Sequence, residues 1–263
     1  MIQKVFYFPQ TFPIFQEAYD FFVNTKKQTA TQHLFTNKQL RTLLVPIMVE
    51  QLLSSLMGTA DTMMVSNVGS AAISAVSLVD AINILVIQAL SALAAGGAIL
   101  CSQYLGSQNL KKAKRSAEQV LFVMLVLSCS LSLLCLIFRF PLLRLIFGTV
   151  DTDVMANSQI YFFFTLLSFP FIGLYDAGAS ILRAQNNTKG PMTISILSNF
   201  LNIGGNAILI FVFGMGVAGA AISTLVSRIF CAIVVIWQLR NPAEQIYVRN
   251  YFSIRPDWSL TKY

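Results

Sequence analysis

Five ionisable residues lie inside long apolar runs of this sequence, and they are Glu50, Asp61, Asp80, Asp176 and Arg228. A charged side chain in such surroundings is rare, and it usually faces a cavity or a polar partner. The segment GTADTMMVSNVG, residues 58–69, holds the clearest example, because Asp61 stands there among small and apolar side chains. A carboxylate of this kind can take up a proton or bind a hard cation such as Na⁺. Asp61 is therefore the first candidate for a functional group.

The apolar runs around these residues have the length of membrane-spanning helices. Of the 263 residues, 56% are hydrophobic and 11% are charged, against roughly 25% charged in soluble domains. Segments of about 20 apolar residues are long enough to cross a hydrocarbon core of about 30 Å. We therefore predict an all-α integral membrane protein, a six-transmembrane-helix bundle with a short interfacial helix in FPLLRLIF. The predicted spans are residues 41–66, 71–105, 114–139, 156–182, 191–213 and 217–239.

Lysine and arginine are distributed unequally between the two sides of these spans. The loop KKAKR, residues 111–115, is one of several basic segments on one side, whereas the opposite side receives only Arg139 and Arg144. Because basic loops stay in the cytoplasm, we expect a multi-pass protein of the cell membrane with both termini cytoplasmic. Residues 1–40 would form a cytoplasmic or interfacial arm. Topology then explains the net charge of +7, and no nucleic-acid partner is needed to account for it.

Several polar side chains fall at a similar predicted depth in the outer half of the bundle. With a rise of about 1.5 Å per residue, Asp61 and Tyr161 lie about 8 Å from the outer ends of their spans. Asn206 and Thr224 lie about 10 Å in, and Asn202 is one turn deeper than Asn206 on the same face. This layer offers a carboxylate, two amides, a hydroxyl and a phenol. Its oxygens suit a proton or a hard cation, so Na⁺ could bind at Asp61, Asn202, Asn206 and Thr224.

A simpler explanation of this layer remains open. Asparagine and threonine in membrane helices often only bridge neighbouring helices, at about 0.6 kcal/mol per contact. Glu50 and Asp80 are secondary candidates, and Glu50 could be either a second proton site or a helix–helix hydrogen-bond partner. Asp176 lies close to the cytoplasmic end of its span, where Arg183 is the expected partner.

An enzyme is not expected. The sequence shows no nucleophile–base pair, metal-binding cysteine cluster or phosphate-cradling glycine loop. Its four cysteines all fall inside spans without metal-ligand spacing, which is typical of small packing residues. We therefore predict no cofactor and no firm metal site beyond a coupling ion.

Four stretches of the chain carry a family resemblance. They are the segment from Pro46 through ADTMMVSNVG, then LAAGGAILCSQYLG, then ILRAQNNTKGPM, and then NFLNIGGNAILIFVFGMGVAGAAIST. Together they cover roughly residues 40–240 and resemble the N-terminal lobe of the MATE family, the multidrug and toxic compound extrusion transporters. Members have twelve spans in two six-helix lobes, so the resemblance implies one lobe at 41–240. Residues 241–263 resemble the family's cytoplasmic inter-lobe connector, which stops where a seventh helix would begin.

The resemblance implies antiport, in which lipophilic or cationic small molecules leave the cell in exchange for H⁺ or Na⁺. The family's coupling aspartate stands where this chain has Asp61, and its other N-lobe positions match Asn202, Asn206, Thr224 and Tyr161. Some members carry a second acid where this chain has Asn206, which weakens any choice between H⁺ and Na⁺.

A single lobe would form only one side of a central cavity between two lobes, and this leaves alternatives open. The chain is expected to need a second lobe, either a second copy of itself or a separately encoded C-terminal lobe. The alternative is a truncated membrane protein that does not transport. A lipid-linked sugar flippase of the same superfamily is a weaker alternative, because it would need a strongly cationic cavity and Arg228 is the only basic residue deep inside a span.

Overall fold

The computed structural model describes residues 37–148, 150–242 and 244–248. Most of the predicted N-terminal arm and connector, residues 1–36 and 249–263, lies outside the described residues. The chain divides into two compact units, residues 1–42 and 43–263. Of the first unit only the start of one helix is described. The second unit contains the helical bundle.

The described residues form seven α-helices and one π-helical segment, and no strand is found among them. They are α1 (Asn37–Ser66), α2 (Ser70–Gly106), α3 (Leu110–Ile137), α4 (Arg139–Phe147), α5 (Thr152–Ala184), α6 (Lys189–Asn206), π1 (Ala207–Val212) and α7 (Gly216–Leu239). Six spans are long and apolar enough to cross a membrane, with α6 and π1 counted as one. This confirms the predicted six-helix bundle, with every span end within four residues of its predicted position.

Helix α5 lies at the centre of the bundle and packs against α2, α3 and α7. Its side chains Phe162, Leu166 and Phe169 are fully buried. They form one apolar cluster with Val76 of α2 and Ala221 of α7. The short helix α4 follows α3 directly and ends at Phe147; Gly148 comes next, and its φ of 63° is a conformation that favours glycine.

Small residues let neighbouring helices approach closely, for example at Gly97 and at Gly205. A Cβ atom on Gly97 of α2 would lie 2.4 Å from a methyl group of Val120 on α3. A Cβ atom on Gly205 of α6 would lie 2.4 Å from the hydroxyl of Ser223 on α7. Without a hydrophobic force between helices in lipid, such close contacts supply much of the packing energy.

Helix α1 differs from the other spans because it presents only a narrow face to the bundle. Four of its residues are buried, namely Pro46, Glu50, Asp61 and Val65. Many of its apolar side chains are exposed, as lipid-facing residues would be: Leu44, Val45, Met48, Leu52, Leu56 and Met63. Two of the four buried residues are acids, so polar contacts carry a large part of the attachment of α1.

Candidate functional site

The buried face of α1 brings two carboxylates to the bundle at two depths. Glu50 and Asp61 are eleven residues apart, which is close to three helical turns or about 16 Å along the axis. They therefore lie on one face, and each is only 7% exposed. Burial of an acid on a helix with few other inward contacts requires polar partners on the neighbouring helices.

Asp61 hydrogen-bonds one of the two asparagines of α6 that the sequence placed near its depth, and this asparagine contacts the other. The amide of Asn206 donates a hydrogen bond to Asp61 Oδ1. The same amide is 3.4 Å from Asn202 Oδ1, and Asn202 Nδ2 donates to Thr224 Oγ1 over 3.2 Å. Asn202 and Asn206 are completely buried. The four residues thus form one continuous hydrogen-bonded chain from α1 through α6 to α7.

The local sequence of α6 and α7 positions these hydrogen-bonded side chains. Asn202 and Asn206 are four residues apart and therefore share a helix face. Gly205 lets α7 approach, and Ser223 Oγ then donates to the backbone oxygen of Asn202 over 2.8 Å. Directly after Asn206 the backbone widens into π1, a feature frequent at functional sites. Nothing in the sequence signalled π1.

Tyr161 is in the same region, and its depth alone did not assign it a partner. Its hydroxyl donates to Asp80 Oδ1 on α2 over 3.2 Å, and Asn83 donates to the same oxygen over 3.2 Å. Asp80, a secondary candidate in the sequence, therefore joins the primary candidates in space. Asp61 lies within electrostatic range of Asp80. We call the set of Asp61, Asp80, Tyr161, Asn202, Asn206 and Thr224 the outer polar layer.

Arg228 of α7 provides a positive charge next to the outer polar layer. Its guanidinium donates to Ser168 Oγ of α5 over 2.6 Å. It lies within electrostatic range of Asp61, Asp80 and Asp176. The two carboxylates of the layer thus share the single positive charge of Arg228. One negative charge is left over, and a proton or Na⁺ could neutralise it. The sequence placed Arg228 inside a span but could not assign its neighbours.

Glu50 belongs to a separate cluster nearer the other end of α5. Arg183 donates to Glu50 Oε1 over 2.7 Å, and the Tyr175 hydroxyl donates to the same oxygen over 2.9 Å. We call these three residues the inner cluster. The expected pairing of Asp176 with Arg183 is wrong, since the arginine hydrogen-bonds Glu50 while Asp176 lies only within electrostatic range. Of the two possibilities for Glu50, the structure shows the helix–helix contact.

Several buried polar atoms in these two regions have no hydrogen-bond partner among the described residues. They include Asn206 Oδ1 and Asn83 Oδ1 in or beside the outer polar layer, and Glu50 Oε2 in the inner cluster. A free amide oxygen beside a carboxylate is the kind of donor set that a hard cation uses. The described residues contain no group of three His, Cys, Asp or Glu that could hold a metal. A cation at Asp61 would thus rely on amide and hydroxyl oxygens.

Six apolar helices around an enclosed layer of acids, amides and one arginine define a polytopic membrane protein with the internal ionisable residues typical of transporters. The comparisons with known proteins agree. The family model MatE matches residues 46–208, and the chain belongs to this family, the MATE transporters. It is therefore a member of a transporter family and not of an enzyme family.

Two curated relatives illustrate the match. An uncharacterized transporter, YisQ of Bacillus subtilis, is 33% identical over 196 residues, which is 73% of this chain and 42% of that protein. A probable multidrug resistance protein NorM of Thermotoga maritima is 28% identical over 237 residues, covering 86% of this chain and 48% of the relative. The chain thus spans about half the length of the curated relatives it matches.

Solved structures match in the same proportion. The outward-facing conformation of a multidrug resistance MATE family transporter has a TM-score of 0.77 and 25% identity, over 86% of this chain and 49% of the other. A MATE crystal structure in the bent conformation has a TM-score of 0.76 at 24% identity and covers 50% of that chain. The fold of the bundle is that of one lobe of a two-lobe MATE transporter, as predicted.

Proposed function

We propose that this chain is the N-terminal lobe of a cation-coupled multidrug antiporter of the cell membrane, with both termini in the cytoplasm, and that it acts together with a second six-helix lobe. The observation that carries the proposal is the buried Asp61 carboxylate and its hydrogen bond to Asn206. The likeness to relatives with multidrug resistance in their names supports the substrate class, lipophilic or cationic small molecules. The basic run at 111–115, in the first turns of α3, supports the orientation.

The geometry offers a direct way to couple ion binding to movement. Asp61 is the acid that joins the outer half of α1 to α6, and α1 has few other buried side chains. A proton on Asp61 removes the charge that attracts the Asn206 amide. A Na⁺ ion would instead use the oxygens of Asp61, Asn202, Asn206 and Thr224. Either ion changes the attachment of α1, and coupling requires that this change favour one of the two access states.

The test is efflux from reconstituted vesicles that contain this chain together with a C-terminal MATE lobe expressed from a second gene. We expect ethidium to be exchanged against an imposed H⁺ or Na⁺ gradient, and we expect Asp61→Asn to abolish this exchange while the protein still assembles. Asp153→Asn, at an exposed position in the first turn of α5, is the matched control and should transport normally. Unchanged gradient-driven efflux in the Asp61→Asn variant would contradict the role of Asp61.

The same experiment separates the alternatives. If the chain inserts and folds but exports nothing, with or without a second lobe, the result supports the alternative of a membrane protein that does not transport. A flippase would show itself by moving a lipid-linked sugar between leaflets. The structure offers little support for a flippase, since Arg228 is hydrogen-bonded to Ser168 and Arg183 is paired with Glu50.

A further inference from the structure

A cleft opens at one end of the bundle between the start of α6 and the end of α7. Its volume is about 750 Å³. By topology it lies at the same end as the start of α3, which carries the basic run at 111–115. The residues that line it are Asn187, Lys189, Gly190, Thr193, Ile194, Leu197, Val234, Trp237, Gln238, Arg240 and Asn241. None of these residues belongs to the outer polar layer or to the inner cluster, and the cleft plays no part in the function proposed above.

The rim of the cleft is basic. Lys189 is the first residue of α6, Arg240 directly follows α7, and both are exposed. The nearby acid Glu244 accepts a hydrogen bond from Asn187 Nδ2 over 2.6 Å, and it does not line the cleft. Among the described residues, these two cations and one acid give the rim a net positive charge, which suits an anionic group and repels a lipophilic cation. The cleft is therefore unsuited to the class of substrate proposed for the transporter.

The wall below this rim is apolar. Ile194 and Val234 lie about five to six residues inside their helices, and Leu197 is two turns below Lys189, about 12 Å along the axis. Leu197 is 48% exposed and Trp237 is 74% exposed. Tryptophan at this position is typical of the membrane–water interface. The cleft thus passes from a charged rim to an apolar wall over the distance that separates lipid headgroups from hydrocarbon.

The base of the cleft is closely packed. A Cβ atom on Gly190 would lie 2.4 Å from the side-chain nitrogen of Gln238, so α6 and α7 are in direct contact there. Asn187 Oδ1 accepts from the backbone N–H of Gly190 over 3.0 Å. These contacts hold the two basic positions at a defined separation without any ligand.

We propose that this cleft binds the headgroup of an anionic phospholipid, with its phosphate between Lys189 and Arg240 and an acyl chain along Leu197 and Trp237. Basic pockets between helices on the cytoplasmic side of membrane proteins bind anionic headgroups. A soluble anion would use the rim alone and would have no use for the apolar wall. The combination of both surfaces in one cleft favours a lipid.

The test is lipid binding to the purified chain, measured by native mass spectrometry with phosphatidylglycerol and phosphatidylcholine. We expect phosphatidylglycerol to bind more tightly than phosphatidylcholine. The variant K189Q/R240Q should weaken it about thirtyfold, because each basic residue near an anionic headgroup contributes about fivefold. The matched control K111Q/K112Q removes the same charge from the first turn of α3 and should change the affinity less than threefold.

Two further measurements identify the source of the anion and test the wall. Soluble glycerol phosphate should not compete with phosphatidylglycerol at equal concentration, and Trp237→Ala should weaken phosphatidylglycerol while it leaves the charge unchanged. Equal loss in K189Q/R240Q and K111Q/K112Q would overturn the proposal in favour of general charge attraction. Effective competition by glycerol phosphate would overturn it in favour of a soluble anion. The substituted positions Lys189, Arg240, Trp237, Lys111 and Lys112 are all exposed, and circular dichroism checks that each variant is folded.

Discussion

Removal of the Glu50 carboxylate should destabilise the bundle by an amount that depends on Arg183. The Glu50 side chain is 9% exposed and that of Arg183 is 29% exposed, with 2.7 Å between Oε1 and Nη2. Breaking a fully buried pair costs about 3–5 kcal/mol. Because Arg183 keeps some access to water, we expect Glu50→Ala to cost about 2–3 kcal/mol, close to the range of hydrogen bonds to charged groups. At about 2–4 °C per kcal/mol, the midpoint of thermal unfolding should fall by roughly 4–12 °C.

The assay is a double-mutant cycle on unfolding in mixed micelles. Glu50→Ala, Arg183→Ala and the double variant are compared, and the coupling energy should be at least about 1 kcal/mol. Glu50→Gln keeps an acceptor for the Tyr175 hydroxyl and should lose less stability than Glu50→Ala. Glu118→Ala, which removes a partly exposed acid from α3, serves as the control. A coupling energy within about 0.5 kcal/mol of zero would refute the inner cluster as an attachment of α1.

Two other changes test the outer polar layer and its support. Gly205→Ala would place a Cβ atom 2.4 Å from Ser223 Oγ, so we expect a loss of about 1–3 kcal/mol of unfolding free energy. Its control is Gly58→Ala, because a Cβ atom there has no neighbour within 4 Å. This change should leave the unfolding free energy unchanged or raise it by up to about 1 kcal/mol. Equal effects of the two changes would contradict the close approach at Gly205. Tyr161→Phe removes the hydrogen bond to Asp80 and should cost about 1.5–3 kcal/mol, measured by the same unfolding assay. The assigned contact would be wrong if Tyr161→Phe left the unfolding free energy of the otherwise unchanged chain as it was, but lowered that of the Asp80→Asn variant.

The sequence predicted the spans well because lipid imposes a length and excludes unpaired backbone groups. It also predicted the depth of Asp61, Asn202, Asn206 and Thr224, since the rise per residue of a helix is nearly constant. The structure brings these four together in one hydrogen-bonded chain. Their role in coupling remains a prediction that the efflux experiment tests.

The sequence could not assign partners across helices. Depth is measured along one axis, whereas contact also depends on the rotation of each helix and on which helices are neighbours. Tyr161 therefore had the right depth but contacts Asp80, 81 residues away in the chain. Arg183 pairs with Glu50, 133 residues away, although Asp176 lies two turns before Arg183 on the same helix.

Composition, span length and the distribution of lysine and arginine were enough to predict a six-helix membrane bundle and to single out Asp61. Only the packing of whole helices decided which polar groups meet. Helices α1, α6 and α7 join Asp61 to the two asparagines and Thr224, and α5 brings Tyr161 to Asp80 of α2. This packing separated the buried acids into an outer polar layer around Asp61 and Asp80 and an inner cluster around Glu50. The physical reason is that a buried charge must find its partner in three dimensions, and that partner is set by how whole helices pack.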